Sequence, residues 1–268
     1  MSPACSVALA LACGTLAASS LPEQSISLLL DRSFPEQRLS YLLLDAPTGR
    51  LICSRWNDAQ QSVPVGSLVK PFTALAYGRT HGFVFPEFTC KGAQDRCWLP
   101  QGHGRIGLTE AIAHSCNAYF LALANEVNPD AIAGVAQEFG LKPPDSGADG
   151  ASLMGLGGQW TISPISIARA YSELRARSGE AGVREIMKGM SLSARIGTGS
   201  GVGSSALAKT GTASCIHSPS HPGDGYTLAI FPADSPRFTL LVRVEGVPGA
   251  DAARTAGRMR ALLEGGLR

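Results

Sequence analysis

Strand-like segments lie only towards the two ends of this chain, and helical signals fill the space between them. Residues 40–45 and 51–56 are short apolar runs separated by Ala46-Pro47-Thr48-Gly49-Arg50. Those five residues have turn chemistry, so the pair reads as a β-hairpin. Near the other end, 205–212, 226–231 and 238–244 read as strands, and Asp234-Ser235-Pro236 turns the chain between the last two. Between 67 and 195 the pattern is mostly helical. Thr109, Asn128-Pro129 and Ser163-Pro164 are helix starts, and Gly140 is a stop. Residues 21–37 predict a first helix, and Asp251 caps a last one that ends near Leu263. The expected fold is therefore α+β: an antiparallel sheet flanked by helices, with an inserted all-helical lobe. The sheet lobe comprises 21–66 and 196–268, and the helical lobe 67–195. No internal repeat is visible.

The hairpin leads into Pro64-Val65-Gly66-Ser67-Leu68-Val69-Lys70-Pro71-Phe72-Thr73. If 68–77 is helical, Ser67 and Lys70 lie one turn apart on one face. A serine hydroxyl becomes a useful nucleophile when a neutral amine within reach takes its proton. The positive end of the helix dipole favours developing negative charge at Ser67. Pro71 falls in the first turn, where a missing N–H is tolerated. Taken singly the pair is weak, since about one Ser-x-x-Lys arises by chance in a chain this long. The plainer interpretation is a capping serine followed by a solvated lysine. The apolar neighbours Leu68, Val69, Phe72, Ala74, Leu75 and Ala76 argue against a solvated face.

With 268 residues and 44% hydrophobic content the chain can bury a sizeable core. A formal net charge of +2 creates no strong field, and no basic patch is interleaved with aromatics, so a nucleic-acid partner is not indicated. Residues 4–18 are small and apolar like the h-region of a secretory signal, although the first basic residue is Arg32. The stretch is too short to span a bilayer comfortably, and no later segment is a transmembrane candidate. Export is expected, with 1–20 as a signal peptide and a periplasmic or other extracytoplasmic destination. Lipid attachment at Cys13 is an alternative, although Ala10 is a poor match to the leucine usual three residues upstream.

Of seven cysteines, Cys90 and Cys97 bracket a short polar loop. In an oxidising compartment they either pair or remain two small hydrophobes. Cys53, Cys116 and Cys215 have no obvious partner. Cys215, His217 and His221 are loosely spaced with prolines between, which favours a surface loop over a metal site. His103 and His114 are expected to be structural. No metal or cofactor is expected.

Three short motifs stand in chain order: Ser67-x-x-Lys70, Ser115-Cys116-Asn117 and Lys209-Thr210-Gly211-Thr212. They fall at a helix start, a loop between helices and a strand. Together they resemble the motif set of serine β-lactamases and penicillin-binding proteins. Over roughly 38–264 the chain resembles the transpeptidase domain of penicillin-binding proteins. Asp45-Ala46-Pro47-Thr48-Gly49, Gly102-His103-Gly104, the run from Ser115 to Phe120, and Gly158-Gln159 before Ser163-Pro164 add to the likeness. The Glu-x-x-Leu-Asn stretch of class A β-lactamases is absent between 118 and 208. Class D enzymes resemble the first and third motifs, but usually carry an aliphatic residue where this chain has Asn117. The larger members' N-terminal pedestal domain has no room here.

The resemblance implies that Ser67 is acylated and that Lys70 takes its proton. Ser115 would relay a proton to the leaving amine. Asn117 would hold the substrate amide, and Lys209, Thr210 and Thr212 the terminal carboxylate. Gly211 would let substrate approach the strand, and the N–H groups of Ser67 and Thr212 would form an oxyanion hole. Cys116 would be a packing residue. The implied partners are peptidoglycan stem peptides, with β-lactams as covalent inhibitors. The implied activity is a D,D-transpeptidase or carboxypeptidase. A class D-like β-lactamase and a β-lactam-binding sensor or scaffold without turnover are the alternatives.

Overall fold

The computed structural model describes residues 23–214 and 223–266. The signal-like stretch at 1–20 and the trio Cys215, His217 and His221 lie outside the described residues.

Helix α1 (Glu23–Ser33) leads into strands β1 (Leu39–Asp45) and β2 (Leu51–Arg55). Strand β3 (Val63–Pro64) and a 3₁₀ turn (Gly66–Val69) precede helix α2 (Lys70–Thr80). Strands β4 (Phe88–Cys90) and β5 (Gly104–Ile106) bracket a tight loop. Helices α3 (Leu108–Ala113), α4 (Asn117–Asn125), α5 (Pro129–Glu138) and α6 (Gly150–Leu153) follow. Strand β6 (Thr161–Ile162) then leads to α7 (Pro164–Ala176) and α8 (Val183–Ile196). Strands β7 (Leu207–Ala213), β8 (Asp224–Phe231) and β9 (Phe238–Glu245) and helix α9 (Gly249–Gly265) complete the chain.

The predicted class holds. Five strands form one sheet in the order β2-β1-β9-β8-β7, and every pair is antiparallel. The two ends of the chain meet where β1 pairs with β9 in unbroken register from Leu39–Val244 to Asp45–Phe238. The sheet is buried on both faces. On β9, Leu240 and Val242 pack with Ile26 and Leu30 of α1 and Ala253, Ala256 and Met259 of α9. Leu241 points the other way, into the cluster that includes Phe72, Tyr171 and Phe120. This is the period-2 alternation of a strand between two apolar layers. Each leucine buried this way is worth roughly 1.5–3 kcal/mol of transfer free energy.

Two predicted starts are met atom by atom. Asn128 Oδ1 accepts from Asp130 N at 2.7 Å, and Ser163 Oγ accepts from Ser166 N at 3.2 Å. Two others shift. Helix α3 begins at Leu108, not after Thr109, because Glu110 reaches back to accept from the Gly107 N–H at 3.2 Å. Helix α9 begins at Gly249 with Pro248 before it, so Asp251 sits in the first turn rather than at the cap. Its negative charge still suits the positive end of the dipole. The described first helix stops at Ser33, since Pro35 disfavours helical backbone at the residue before it. The Gly-rich region 141–160 holds the short helix α6, where Asp149 accepts from Ser152 N at 2.8 Å.

Candidate active site

Ser67 does not sit on an α-helix. It lies in the 3₁₀ turn that precedes α2, and all four residues of that turn are buried. In 3₁₀ geometry residues i and i+3 eclipse, so Ser67 and Lys70 keep the shared face expected of them. Gly66 enters the turn at φ 59°, and a Cβ there would overlap the Thr212 backbone. The Tyr171 hydroxyl donates to the Leu68 carbonyl at 2.9 Å and holds the turn from the α7 side. Helix α2 is buried from Lys70 through Gly78, with Phe72 edge-on to Phe139 and Tyr171. Lys70 is therefore rooted in the core rather than solvated.

Ser115 lies between α3 and α4 with a left-handed backbone, φ 51°. That turn folds its hydroxyl back between two lysines that are both 0% exposed. Lys209 Nζ donates to Ser115 Oγ at 2.9 Å and to its own neighbour's carbonyl, Thr210 O, at 2.7 Å. Lys70 Nζ donates to Ser115 O at 2.8 Å and Asn117 Oδ1 at 2.7 Å, with Ser115 Oγ at 3.4 Å. Burial pushes Lys70 down from the usual lysine range to about 7, opposed by the Cys116 and Cys97 thiols. Burial, and then the adjacent Lys70, hold Lys209 well below that range. Two unneutralised ammonium groups so close in a low-dielectric interior are unfavourable, so the neutral forms gain.

Strand β7 is the sheet's edge and pairs only with β8, which leaves its outer backbone facing the cleft. Its Thr210 hydroxyl bonds Thr198 Oγ1 at 2.6 Å, and Thr212 Oγ1 accepts from the Gly249 N–H at 3.0 Å. The cleft has a volume of about 320 Å³, and its walls include Ser67, Ser115, Asn117, Thr210, Gly211 and Thr212. Half-exposed Trp98 and Leu156 form part of its rim. The Ser67 hydroxyl donates to no group among the described residues. Gly211 also has a packing role. The space its Cβ would take is filled by Val65 O at 2.6 Å and Ser67 N at 3.2 Å. Its bareness lets β7 press against the serine turn.

All eight residues singled out from the sequence thus line the cleft or connect directly to side chains that do. A family model, the penicillin binding protein transpeptidase domain, matches residues 35–264. The chain belongs to that family. Solved transpeptidase structures share the fold. Pseudomonas aeruginosa PBP2 in complex with WCK 5153 aligns with a TM-score of 0.73 at 18% identity, covering 89% of this chain and 74% of that one. Helicobacter pylori PBP2, solved with MreC, aligns at 0.75 and 17% identity. The alignment covers 91% of this chain but only 63% of that protein. The transpeptidase domain of Legionella pneumophila FtsI4 aligns at 0.65 and 21% identity, covering 91% and 94%. No curated protein matches this chain.

Several residues of this transpeptidase domain escaped the sequence reading. Thr198 and Tyr171 support the site from α8's end and from α7, and no local pattern marks either. A second group lies behind Ser115. Cys90, Cys97, His103 and Cys116 bring one donor atom each to within 4.8 Å of one another. The three cysteines are free thiols rather than a disulfide. Burial, with His114 and Lys70 adding to it, holds His103 below the usual imidazole range. A Cys/His series at positions 90, 97, 103 and 116 was the available signal.

Proposed function

We propose that this chain is a penicillin-binding serine acyltransferase that acts on D-alanyl-D-alanine peptides of peptidoglycan through an acyl-enzyme on Ser67. The observation that carries this is the Ser115 hydroxyl held between two fully buried lysines in the cleft that Ser67 lines. A neutral lysine amine has two N–H groups and one lone pair. The short bonds to Ser115 O and Asn117 Oδ1 occupy both N–H groups. The lone pair is then left to accept a hydroxyl proton, which is what general-base activation of serine needs.

As Ser67 Oγ attacks the scissile carbonyl, its proton passes to Lys70. The N–H groups of Ser67 and Thr212 are suited to the oxyanion, since Gly66 and Gly211 bring the two backbones together. An oxyanion donor of this kind typically contributes about 2.7–4 kcal/mol. Ser115 returns a proton to the leaving D-alanine amine. The substrate backbone adds to the open edge of β7 as an extra strand. Its terminal carboxylate meets Lys209, Thr210 and Thr212, and its charge draws a proton back onto Lys209. Asn117 orients the substrate amide. Such chemistry belongs outside the cytoplasm, which agrees with the signal-like sequence at 4–18. No helix among the described residues is long and apolar enough to cross a membrane.

The test uses a fluorescent penicillin, a chromogenic cephalosporin and a D-alanyl-D-alanine pentapeptide. Stable labelling of wild type, none of Ser67→Ala, and D-alanine release or transfer from the peptide are expected. Rapid cephalosporin turnover would make the protein a β-lactamase instead. Labelling without any action on peptide would make it a sensor. Identical behaviour of wild type and Ser67→Ala would overturn the assignment of the nucleophile.

A further inference from the structure

A second cavity adjoins the cleft. It has a volume of about 430 Å³ and lies between the loop that joins β4 to β5, the end of α8 and the first turns of α9. Trp98, Thr198 and Ala250 line both spaces, so the two meet along one edge. Its place on the reaction path follows from the chemistry proposed above. There the leaving D-alanine carries the terminal carboxylate, which meets Thr210. The Thr210 hydroxyl bonds Thr198 Oγ1 at 2.6 Å, and Thr198 is itself fixed on Ala113 O by its N–H at 3.1 Å and its hydroxyl at 3.4 Å. The second cavity therefore opens on the side by which D-alanine departs. By microscopic reversibility, an amine that takes over the acyl group enters along the path by which the first amine left.

The walls suit one kind of amine. Among the described residues seven large apolar side chains are exposed, and three of them, Trp98, Leu156 and Ile196, border these two cavities. Exposed apolar surface gathered in one place marks a binding site, whereas single exposed residues do not. Ile196, 66% exposed, ends α8. Trp98, 51% exposed, is held in position by donating from Nε1 to His114 O at 3.1 Å. None of the residues lining the second cavity is acidic, and its guanidinium, that of Arg254, is already engaged by Asp251. An ammonium entering there loses water and meets no counter-charge on the walls, so the neutral, nucleophilic amine gains.

We infer that this cavity is the acceptor site for acyl transfer, and that it takes a primary amine at the end of an aliphatic chain, supplied by a second stem peptide. The aliphatic chain lies along Ile196 and Trp98, and the amine reaches past Thr198 to the acyl-enzyme carbonyl. The amine nitrogen bonds to the carbonyl carbon, and the bond from that carbon to Ser67 Oγ breaks. The proton that the amine sheds passes through Ser115 to Lys70, and Lys70 returns a proton to Ser67 Oγ. This inference rests on the function proposed above and adds to it that an amine, rather than water, resolves the acyl-enzyme.

The experiment takes the full chain with the D-alanyl-D-alanine pentapeptide as donor. Mass spectrometry separates the transfer product from the hydrolysed tetrapeptide. Their ratio is set after the acyl-enzyme has formed, so any change in acylation cancels. Two acceptors are compared: Nα-acetyl-lysinamide, with a long-chain amine, and glycinamide. A backbone amine has a pKa of about 7.7–8.0 against about 10.4 for a lysine amine, so attack from bulk solution near neutral pH would favour glycinamide. The acceptor site predicts the reverse: more transfer to the lysinamide, with a ratio that saturates as its concentration rises. Ile196→Asn should raise the half-saturating concentration at least about fivefold. The same change at Leu28, exposed on α1, should leave that concentration as it is. Ile196 is exposed, so the fold is not at stake in its variant, and the wild-type comparison of the two amines decides without it. A ratio that rises linearly, a preference for glycinamide, hydrolysis alone, or wild-type behaviour of Ile196→Asn would overturn the acceptor site while leaving the serine chemistry intact. If the protein neither labels with fluorescent penicillin nor releases D-alanine, the acyltransferase assignment fails first and takes the acceptor site with it.

Discussion

In the proposed mechanism the burial of Lys70 is what makes it a base. Its amine is held near 7 chiefly by the loss of water. The neutral fraction therefore grows as pH rises through that value. The rate of fluorescent-penicillin labelling should climb about tenfold between about pH 6 and 8 before levelling off. Labelling of Lys70→Arg, whose guanidinium stays charged, should be lost at every pH. A flat wild-type profile would mean that Lys70 is not the base. Gly66 offers a second prediction. Gly66→Ala must place a side chain at positive φ, at a cost of about 1–2 kcal/mol, and must also displace the Thr212 backbone. We expect a lower melting temperature together with weaker labelling. At this scale the sequence was informative about residue types and blind to strain. The motif residues could be named, yet nothing in the string Ser115-Cys116-Asn117 announces a left-handed serine. That conformation closes the end of α3, where Cys116 N donates back to Ala111 O at 3.0 Å, and it meets two lysines that reach it from other elements.

Elements whose ends are set by neighbouring residues were readable, and those set by distant ones were not. Asn128 and Ser163 cap the helices they were expected to cap because the acceptor and the N–H it serves lie two or three residues apart. Ser163→Ala should cost about 1 kcal/mol in denaturant unfolding with little change in labelling. A large loss of labelling would show that this cap also shapes the cleft. The short pairs β3–β6 and β4–β5 have too few residues for a periodicity to register. Likewise the 3₁₀ turn at Ser67 exists because Gly66, Gly155 and Thr212 bring three backbones together. The position of β7 at the sheet edge follows from the strand order, which no single segment carries.

For the molecule as a whole, one sheet joins two apolar layers, and both ends of the chain contribute to it. Leu240 faces the layer of α1 and α9, away from the cleft. Leu240→Ala should lose about 2–5 kcal/mol in a single cooperative transition. Labelling well below the melting temperature should be retained. Two separate transitions would show that the layers unfold independently. The mixed class was legible because strand patterns sit only at the ends of the sequence. The division into two lobes remains a description of pattern, since helices α7 and α9 cover opposite faces of the same sheet. The pairing of β1 with β9 also has a bearing on biogenesis. The serine turn emerges from the ribosome some 140 residues before the lysine strand (Ser67 against Lys209), and its backbone partner Gly211, with Gly249 packed behind it, comes later still. An unfinished chain would carry the hydroxyl and Lys70 without the second amine, the edge or the clamp. Chemical competence should therefore appear abruptly, once β7 to α9 have been made, and release before that point should yield products that bind no penicillin.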